Sequence, residues 1–248
     1  MSSDILALEP MNKEKDHLVV RPRPLKGIHL REALFVPMDT RGRRLKGHLS
    51  ELGFSQRKTL QGSLYHKDGR AVHLGCIGAP AAVLALEPLL LSGAKKLLIL
   101  GFCGSLVRRI SIGDAVVITK ARSDEGTSRH YVPGKKVFRS TGEFSRNIEN
   151  RLSNIGLAYS RCSLVSTDAP YRETKTWLGK FQRLGEEGVD MEAAAVFALA
   201  EFYGVEAAAL MIISDELYDG TWKTGFGKSL MEKKAEKYFT PFLTDRDK

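Results

Sequence analysis

The chain has 248 residues, 43% of them hydrophobic, and a formal net charge of +9. That length and content suit one α/β core of ordinary size. No window is apolar enough for a membrane span, and the amino terminus lacks the basic-then-apolar-then-small order of a signal peptide, so a cytoplasmic protein with no membrane partner is expected. Cys76, Cys103 and Cys162 are far apart and lack metal-ligand spacing, so they read as reduced thiols, with no metal site. The densest basic cluster, Arg41, Arg43, Arg44 and Lys46, has no interleaved aromatics. A solvated face ranks first for it, an anionic substrate second and nucleic acid third.

Residues 1–31 are charged and carry Arg-Pro-Arg-Pro at 21–24, which predicts an extended arm ahead of a domain over 32–248. Residues 33–36 predict a short strand ending in Pro37-Met38-Asp39-Thr40, and a polar helix then runs to about Leu52, stopped by Gly53. Residues 60–64 and 71–77 predict strands around the turn Lys67-Asp68-Gly69. Gly78-Ala79-Pro80 opens a helix of small residues, bent at Pro88 and stopped near Gly93. Residues 97–100 predict a buried strand running into Gly101-Phe102-Cys103-Gly104-Ser105. A glycine-bearing turn there would let amides approach an anion, although taken alone a plain tight turn is the simpler account.

Gly113-Asp114 precedes a strand at 115–119, and Asp124-Glu125-Gly126-Thr127-Ser128 begins a long polar segment. A helix near 145–154 leads to a strand around 163–166 and then Thr167-Asp168-Ala169-Pro170-Tyr171. The sharpest pattern follows. Met191, Ala195, Ala198 and Phe202 recur at helical spacing, Asp190 can cap the start, and Gly204 ends the helix. Residues 207–213 read as a buried strand. Ser214 and Asp215 lie at its carboxyl end, where open α/β sheets place ligands. Residues 220–227 predict a mobile loop and 228–242 a closing helix. Strands alternating with helices predict an α/β fold, one domain with a mixed sheet.

Glu192 thus opens a helix and Asp215 tips the next strand. Singly, the first complements a helix dipole and the second forms a turn or cap. Together they belong to an ordered set: Gly-x-Cys-Gly at 101–104, Gly113-Asp114, Glu125-Gly126-Thr127-Ser128, Thr167-Asp168, Tyr171, Met191-Glu192 before small residues, and Ser214-Asp215. In this order the chain resembles the nucleoside phosphorylase superfamily, which includes purine nucleoside and uridine phosphorylases and related nucleosidases. The resemblance runs from about Val36 to Phe242.

That resemblance implies a central mixed sheet partly closed into a barrel and flanked by helices on both sides. It implies cleavage of the N-glycosidic bond of a nucleoside, in which the ribose gains oxocarbenium character as the base departs. Glu192 then holds the 2′ and 3′ hydroxyls, with Met191 packed on the sugar, and Asp215 protonates or hydrogen-bonds the purine N7, a transfer contributing roughly 10²–10⁴-fold. Ser214, Cys103, Gly104, Thr127, Tyr171 and Phe102 match substrate-binding positions. Arg41 and Arg43 are candidates for phosphate, with Arg57 and His17 as residues lent by a neighbouring subunit. A homo-oligomer, dimer or hexamer, is implied, with no cofactor and inorganic phosphate as a co-substrate.

The region after Tyr171 lacks the Gln-x-Arg pair that holds uracil in uridine phosphorylases, so a purine-type base is expected. At the phosphate site three positions depart from the pattern. Met38-Asp39-Thr40 replaces Gly-Asp-Pro, Ile99 stands for an Arg, and Phe102 for a Ser or Thr. A phosphate dianion needs charge-assisted partners. Hydrolysis is therefore the alternative, with Glu32 as the nearest acid in order to the water-orienting Glu of nucleosidases. A silent nucleoside-binding homologue is a further reading.

Overall fold

The structure, a computed structural model, describes residues 18–38, 43–226 and 229–244, without the side chains of Arg43 and Arg44. Eleven strands and six α-helices follow one another in this part of the chain. The first is β1 (Glu32–Val36), whose residues alternate between two cores. Ala33 and Phe35 enter one apolar cluster, and Leu34 and Val36 enter the other. A strand covered on both faces has no polar side, which is why the run is uniformly apolar. Helix α1 (Arg43–Glu51) follows and ends before Gly53, as its composition predicts.

The next strands differ from expectation. β2 (Ser55–Lys58) and β3 (Ser63–Lys67) pair antiparallel, so 60–62 form the turn between them rather than the start of a strand. Gly62 sits at positive φ, and a Cβ there would lie 2.1 Å from the carbonyl oxygen of Leu74. No side chain fits that approach, and the chain must turn. β4 (Arg70–Leu74) returns beside β3 through the expected Asp68-Gly69 turn. Helix α2 (Ala79–Leu91) contains Pro88 and ends ahead of Gly93, whose φ is +106°.

β5 (Lys96–Ser105) corrects the turn reading of Gly101–Gly104, because the strand continues through all four residues, paired with β10 (Glu206–Glu216). β6 (Ala115–Asp124) and β8 (Ser160–Thr167) run parallel, with β7 (Val137–Arg139) on the free edge of β6 and α3 (Gly142–Asn154) between. Helix α4 (Lys175–Arg183) and strand β9 (Gly188–Asp190) have no counterpart in the sequence reading. Helix α5 (Ala193–Tyr203) ends at Gly204 in the left-handed region, as expected. The stretch read as a mobile loop holds β11 (Lys223–Thr224), which folds back on Asp215 and Glu216. Helix α6 (Ser229–Leu243) closes the described chain.

β5, β10, β6, β8 and β9 pair in a ring, while β1, β4, β3 and β2 continue from β5 as an open wing. The sheet is therefore mixed and partly closed into a barrel. Helices α2 and α5 are apolar almost all round and share the larger core cluster, the composition of a helix with little solvent-facing surface. Helices α1, α3 and α6 cover the other side. The inner end of the amino-terminal segment is docked: Ile28 and Leu30 are buried, and the Leu25 amide donates to Ser92 Oγ at 2.7 Å. No described helix is long and apolar enough to cross a membrane. Among the described residues all three cysteines are free and buried, and no cluster suits a metal ion.

Candidate active site

Three strand ends converge. Pro37 and Met38 follow β1, Gly101 to Gly104 end β5, and Ser214 and Asp215 lie near the end of β10. Together with the β9–α5 junction they wall a cleft of about 560 Å³, at the carboxyl end of parallel strands. Met191, Glu192 and Asp215 all line it.

Glu192 reaches the cleft because Asp190 does the capping. One Asp190 oxygen accepts from the amides of Glu192 and Ala193 at 3.1 and 2.7 Å. Ser166 Oγ donates to the other oxygen at 2.5 Å and accepts from the Ala194 amide at 2.9 Å. These partners satisfy amides that the first turn of α5 leaves open. The Glu192 side chain is thereby released, and its Oε1 accepts from the Gly78 amide at 2.5 Å, at the start of α2. Gly78 sits at φ +97°, a conformation that admits no ordinary side chain.

Glu192 is only 5% exposed. Burial, and then the neighbouring Asp190 carboxylate, push its pKa up to about 8. Burial also raises Asp190, but the hydrogen bonds from Ser166, Ala193 and Glu192 oppose it. A hydrogen bond to the ionised form favours that form, so Asp190, with three donors, is the member of the pair held ionised, and Glu192 is the one that keeps the proton.

Asp215 is aimed by a bulge. The β5–β10 register shifts between Ile213 and Asp215, placing Ser214 outside the pairing and Asp215 opposite Gly104. A bulge of this kind re-aims the residue beside it. Ser214 Oγ lies 2.6 Å from Asp215 Oδ1 and 3.2 Å from the Cys103 carbonyl oxygen, while Trp222 Nε1 donates to Oδ2 at 3.0 Å. Gly104 makes the space: a Cβ there would stand 3.0 Å from Asp215 Oδ2 and 2.7 Å from Leu217 Cδ1.

The remaining expected residues divide. Phe102, Cys103, Gly104, Ser214 and Tyr171 line the cleft, Tyr171 from an exposed turn at the rim. The Cys103 thiol is in the core, and burial holds its pKa well above the usual range. Thr127 is not brought to the cleft wall. Its amide and that of Ser128 donate to the buried Glu125 carboxylate, while the Gly126 amide donates to Asp168 at 2.8 Å. The Glu-Gly-Thr-Ser motif thus ties the segment after β6 to the one after β8, a positioning role. Arg57 lies on β2 with its guanidinium on the Lys26 carbonyl, away from the cleft wall. Glu32 is also elsewhere, at the opposite end of β1 and ion-paired with Arg70 at 2.9 Å. His17 and Arg41, and the side chain of Arg43, lie outside the described residues.

Sequence reasoning passed over Glu173 and Trp222. Glu173 lines the cleft, and burial followed by the charge of Asp215 raises its pKa to about 7. It stands two residues after Tyr171, within the segment searched for a uracil clamp. Phe102 packs edge-on against Phe226 and Phe239, with ring centroids 6.2 and 5.8 Å apart. The wall beside β1 and β5 is aromatic where the resemblance implies a phosphate pocket. Among the described residues, four carboxylates line the cleft and no Lys, Arg or His does.

The phosphorylase superfamily model matches residues 33–239. The chain belongs to the phosphorylase superfamily. A guanosine phosphorylase of Halorubrum lacusprofundi is 31% identical over 164 residues, 64% of this chain and 66% of that protein. The match thus spans just under two thirds of the length of that relative. Among solved structures, a purine nucleoside phosphorylase from Toxoplasma gondii in complex with immucillin-H superposes with a TM-score of 0.75 at 18% identity, covering 92% of this chain and 95% of that one. An AMP nucleosidase from Bacteroides thetaiotaomicron gives 0.69 at 20% identity, with 86% of each chain covered. At those identities the structural likeness establishes the fold. Phosphorylases and a nucleosidase share it.

Proposed function

We propose that this member of the phosphorylase superfamily cleaves the N-glycosidic bond of a purine-type nucleoside. The observation that carries the reading is the convergence of Glu192 and Asp215 on one cleft. The sugar lies against Glu192 and Met191. A carboxyl that keeps its proton near neutrality can both donate to and accept from the ribose hydroxyls. The base lies toward Asp215, whose side chain is fixed from both oxygens, with Glu173 as a second carboxyl on that side. As the glycosidic bond breaks, its electrons pass to the base, and a proton or hydrogen bond at N7 stabilises them.

Water is the acceptor that the described wall favours. An aromatic cluster around Phe102 gives a phosphate dianion no charge-assisted partner, and the acidic side chains of the same wall supply no counter-charge. Phosphorolysis is the second reading, favoured by the guanosine phosphorylase relative and by Arg41, Arg43 and Arg44, which follow Met38 in sequence. Incubation with inosine, adenosine, uridine and methylthioadenosine, with and without inorganic phosphate, separates the two. Release of purine independent of phosphate, with uridine inert, is the expected result. Strict dependence on phosphate, abolished in Arg41→Ala or Arg43→Ala, establishes phosphorolysis instead. Nucleoside binding without turnover leaves a silent binding protein. A subunit assembly, dimer or hexamer, belongs to the same proposal, with His17 and Arg57 as residues offered to a neighbour.

A further inference from the structure

The cleft wall beside Asp215 holds a second carboxyl, and this one has no partner. Glu173 stands between the single turn Pro170–Arg172 and α4, and both fix its main chain. Its amide donates to the Pro170 carbonyl at 3.2 Å, and Thr174 Oγ1 accepts from the Trp177 amide at 3.2 Å. Thr174 thus caps α4. The Glu173 side chain is left for the cleft, half-buried, with no hydrogen bond or ion pair among the described residues.

The charged groups around it come from several elements. Asp215 lies on β10, and Asp190 and Glu192 at the β9–α5 junction, all in the same wall. Arg172 and Lys175 flank it on its own segment and are exposed, Lys175 running along Gly220. On the β11 hairpin, Lys223 is taken by Asp219 at 2.9 Å. Of these charges, that of Asp215 acts on Glu173, adding to burial in raising its pKa to about 7. Asp215 is placed differently. Ser214 Oγ approaches one of its oxygens and Trp222 Nε1 donates to the other. Two neighbouring carboxyls titrate as a pair, and donors favour the ionised member. Asp215 therefore carries the charge and Glu173 keeps the proton.

We propose, on the footing of nucleoside cleavage in this cleft, that Glu173 stores the proton which Asp215 passes to the departing base. As the C1′–N9 bond breaks, its electron pair goes to the base. The proton of Glu173 moves to Asp215 and from Asp215 to N7. The acceptor, water or phosphate, bonds to C1′ and gives up one proton, which restores Glu173. One proton is taken up and one released with either acceptor. Glu173 acts through Asp215 and not on the substrate, so it is a positioning residue of the reaction.

Initial rates with inosine and adenosine across pH 5 to 9 test this, joined at pH 6 by the 7-methyl derivative of each. A methyl group on N7 gives the base the positive charge that protonation would supply, so its departure needs no proton. With the unmethylated substrate the wild-type rate should break downward near pH 7, ahead of a second break near 8 from Glu192. Glu173→Gln should abolish the break near 7 and lower the rate at pH 6 by about tenfold or more. Its rate with the 7-methyl substrate should match that of the wild type. Glu173→Asp, which keeps a carboxyl, should retain the break and recover most of the rate. A matching loss on methylated and unmethylated substrates gives Glu173 a structural role and overturns the proposal. A wild-type profile without a break near 7 overturns it with no variant needed. Wild-type protein that releases base from none of the four nucleosides removes nucleoside cleavage itself, and the stored proton with it.

Discussion

The indole Nε1 of Trp222 donates to Asp215 Oδ2 at 3.0 Å, on the oxygen opposite to the one that Ser214 Oγ approaches at 2.6 Å. Trp222 is 60% exposed and stands on the hairpin formed by β10 and β11. A tryptophan held at the mouth by one hydrogen bond fixes the rotation of the carboxyl without closing the cleft. Trp222→Phe keeps the ring and removes only the donor. A hydrogen bond contributes about 0.5–1.5 kcal/mol net, and exposure discounts it here. The expected result is a fall in kcat of about tenfold or less, with a melting temperature close to that of the wild type. An unchanged kcat in Trp222→Phe shows that the indole does not position Asp215.

Asp215→Asn and Glu192→Gln are expected to fail differently. Asn cannot give a proton to the departing base, so kcat should fall by roughly 10²–10⁴-fold with KM little altered. Gln keeps one donor and one acceptor for the ribose, as a protonated carboxyl does, so the fall should be smaller, about tenfold or less, on the scale of about 0.5–1.5 kcal/mol for a neutral hydrogen bond. Single-turnover release of purine measures both. Equal losses in the two variants contradict the separate roles given to sugar and base.

These two carboxylates were legible in the sequence because each sits at an element boundary that local chemistry fixes. Asp190 caps α5, Gly204 ends it, and the apolar run after it can only be a buried strand. Trp222 and Glu173 were not legible for the opposite reason. Their positions depend on pairing between β11 and β10, and on the course of the chain between β8 and α4, neither of which has a local periodicity. Gly101–Gly104 misled for a related reason. Two glycines close together read as a turn, yet both lie within β5, and Gly104 is small because Asp215 and Leu217 approach it, whereas a Cβ at Gly101 would make only ordinary contacts. Spacing within a chain does not reveal which neighbour strand needs the room.

Gly104→Ala tests that explanation directly. The added methyl would lie 2.7 Å from Leu217 Cδ1, 3.0 Å from Asp215 Oδ2 and 3.1 Å from Val189 Cγ1. Leu217 can rotate away, but the carboxyl is held by two donors and must leave one of them. Overpacking of this kind costs about 1–3 kcal/mol of stability. Activity should suffer more than stability, with kcat down at least tenfold in protein that remains folded at 25 °C. Thermal unfolding and base release measured on the same sample make the comparison. Native activity in folded Gly104→Ala would refute the claim that this glycine exists to admit Asp215.

The proton on Glu192 should be visible in the pH dependence of folding. In the folded chain, burial and Asp190 hold its pKa at about 8, whereas a solvated glutamate releases its proton near about 4.3. Between those values the folded state binds more protons than the unfolded one, so stability falls as pH rises, by at most about 1.4 kcal/mol per pH unit for this group. Asp190 adds a contribution of the same sign at lower pH, since its pKa is also raised, to about 6. Glutamine at 192 has no proton to lose, so the Glu192→Gln protein should gain on the wild type as pH rises from 5 to 8. Urea midpoints at pH 5, 6, 7 and 8 read that difference, which should widen steadily. A difference independent of pH would mean that Glu192 is already ionised in the fold, and the ribose would then meet a carboxylate that only accepts hydrogen bonds.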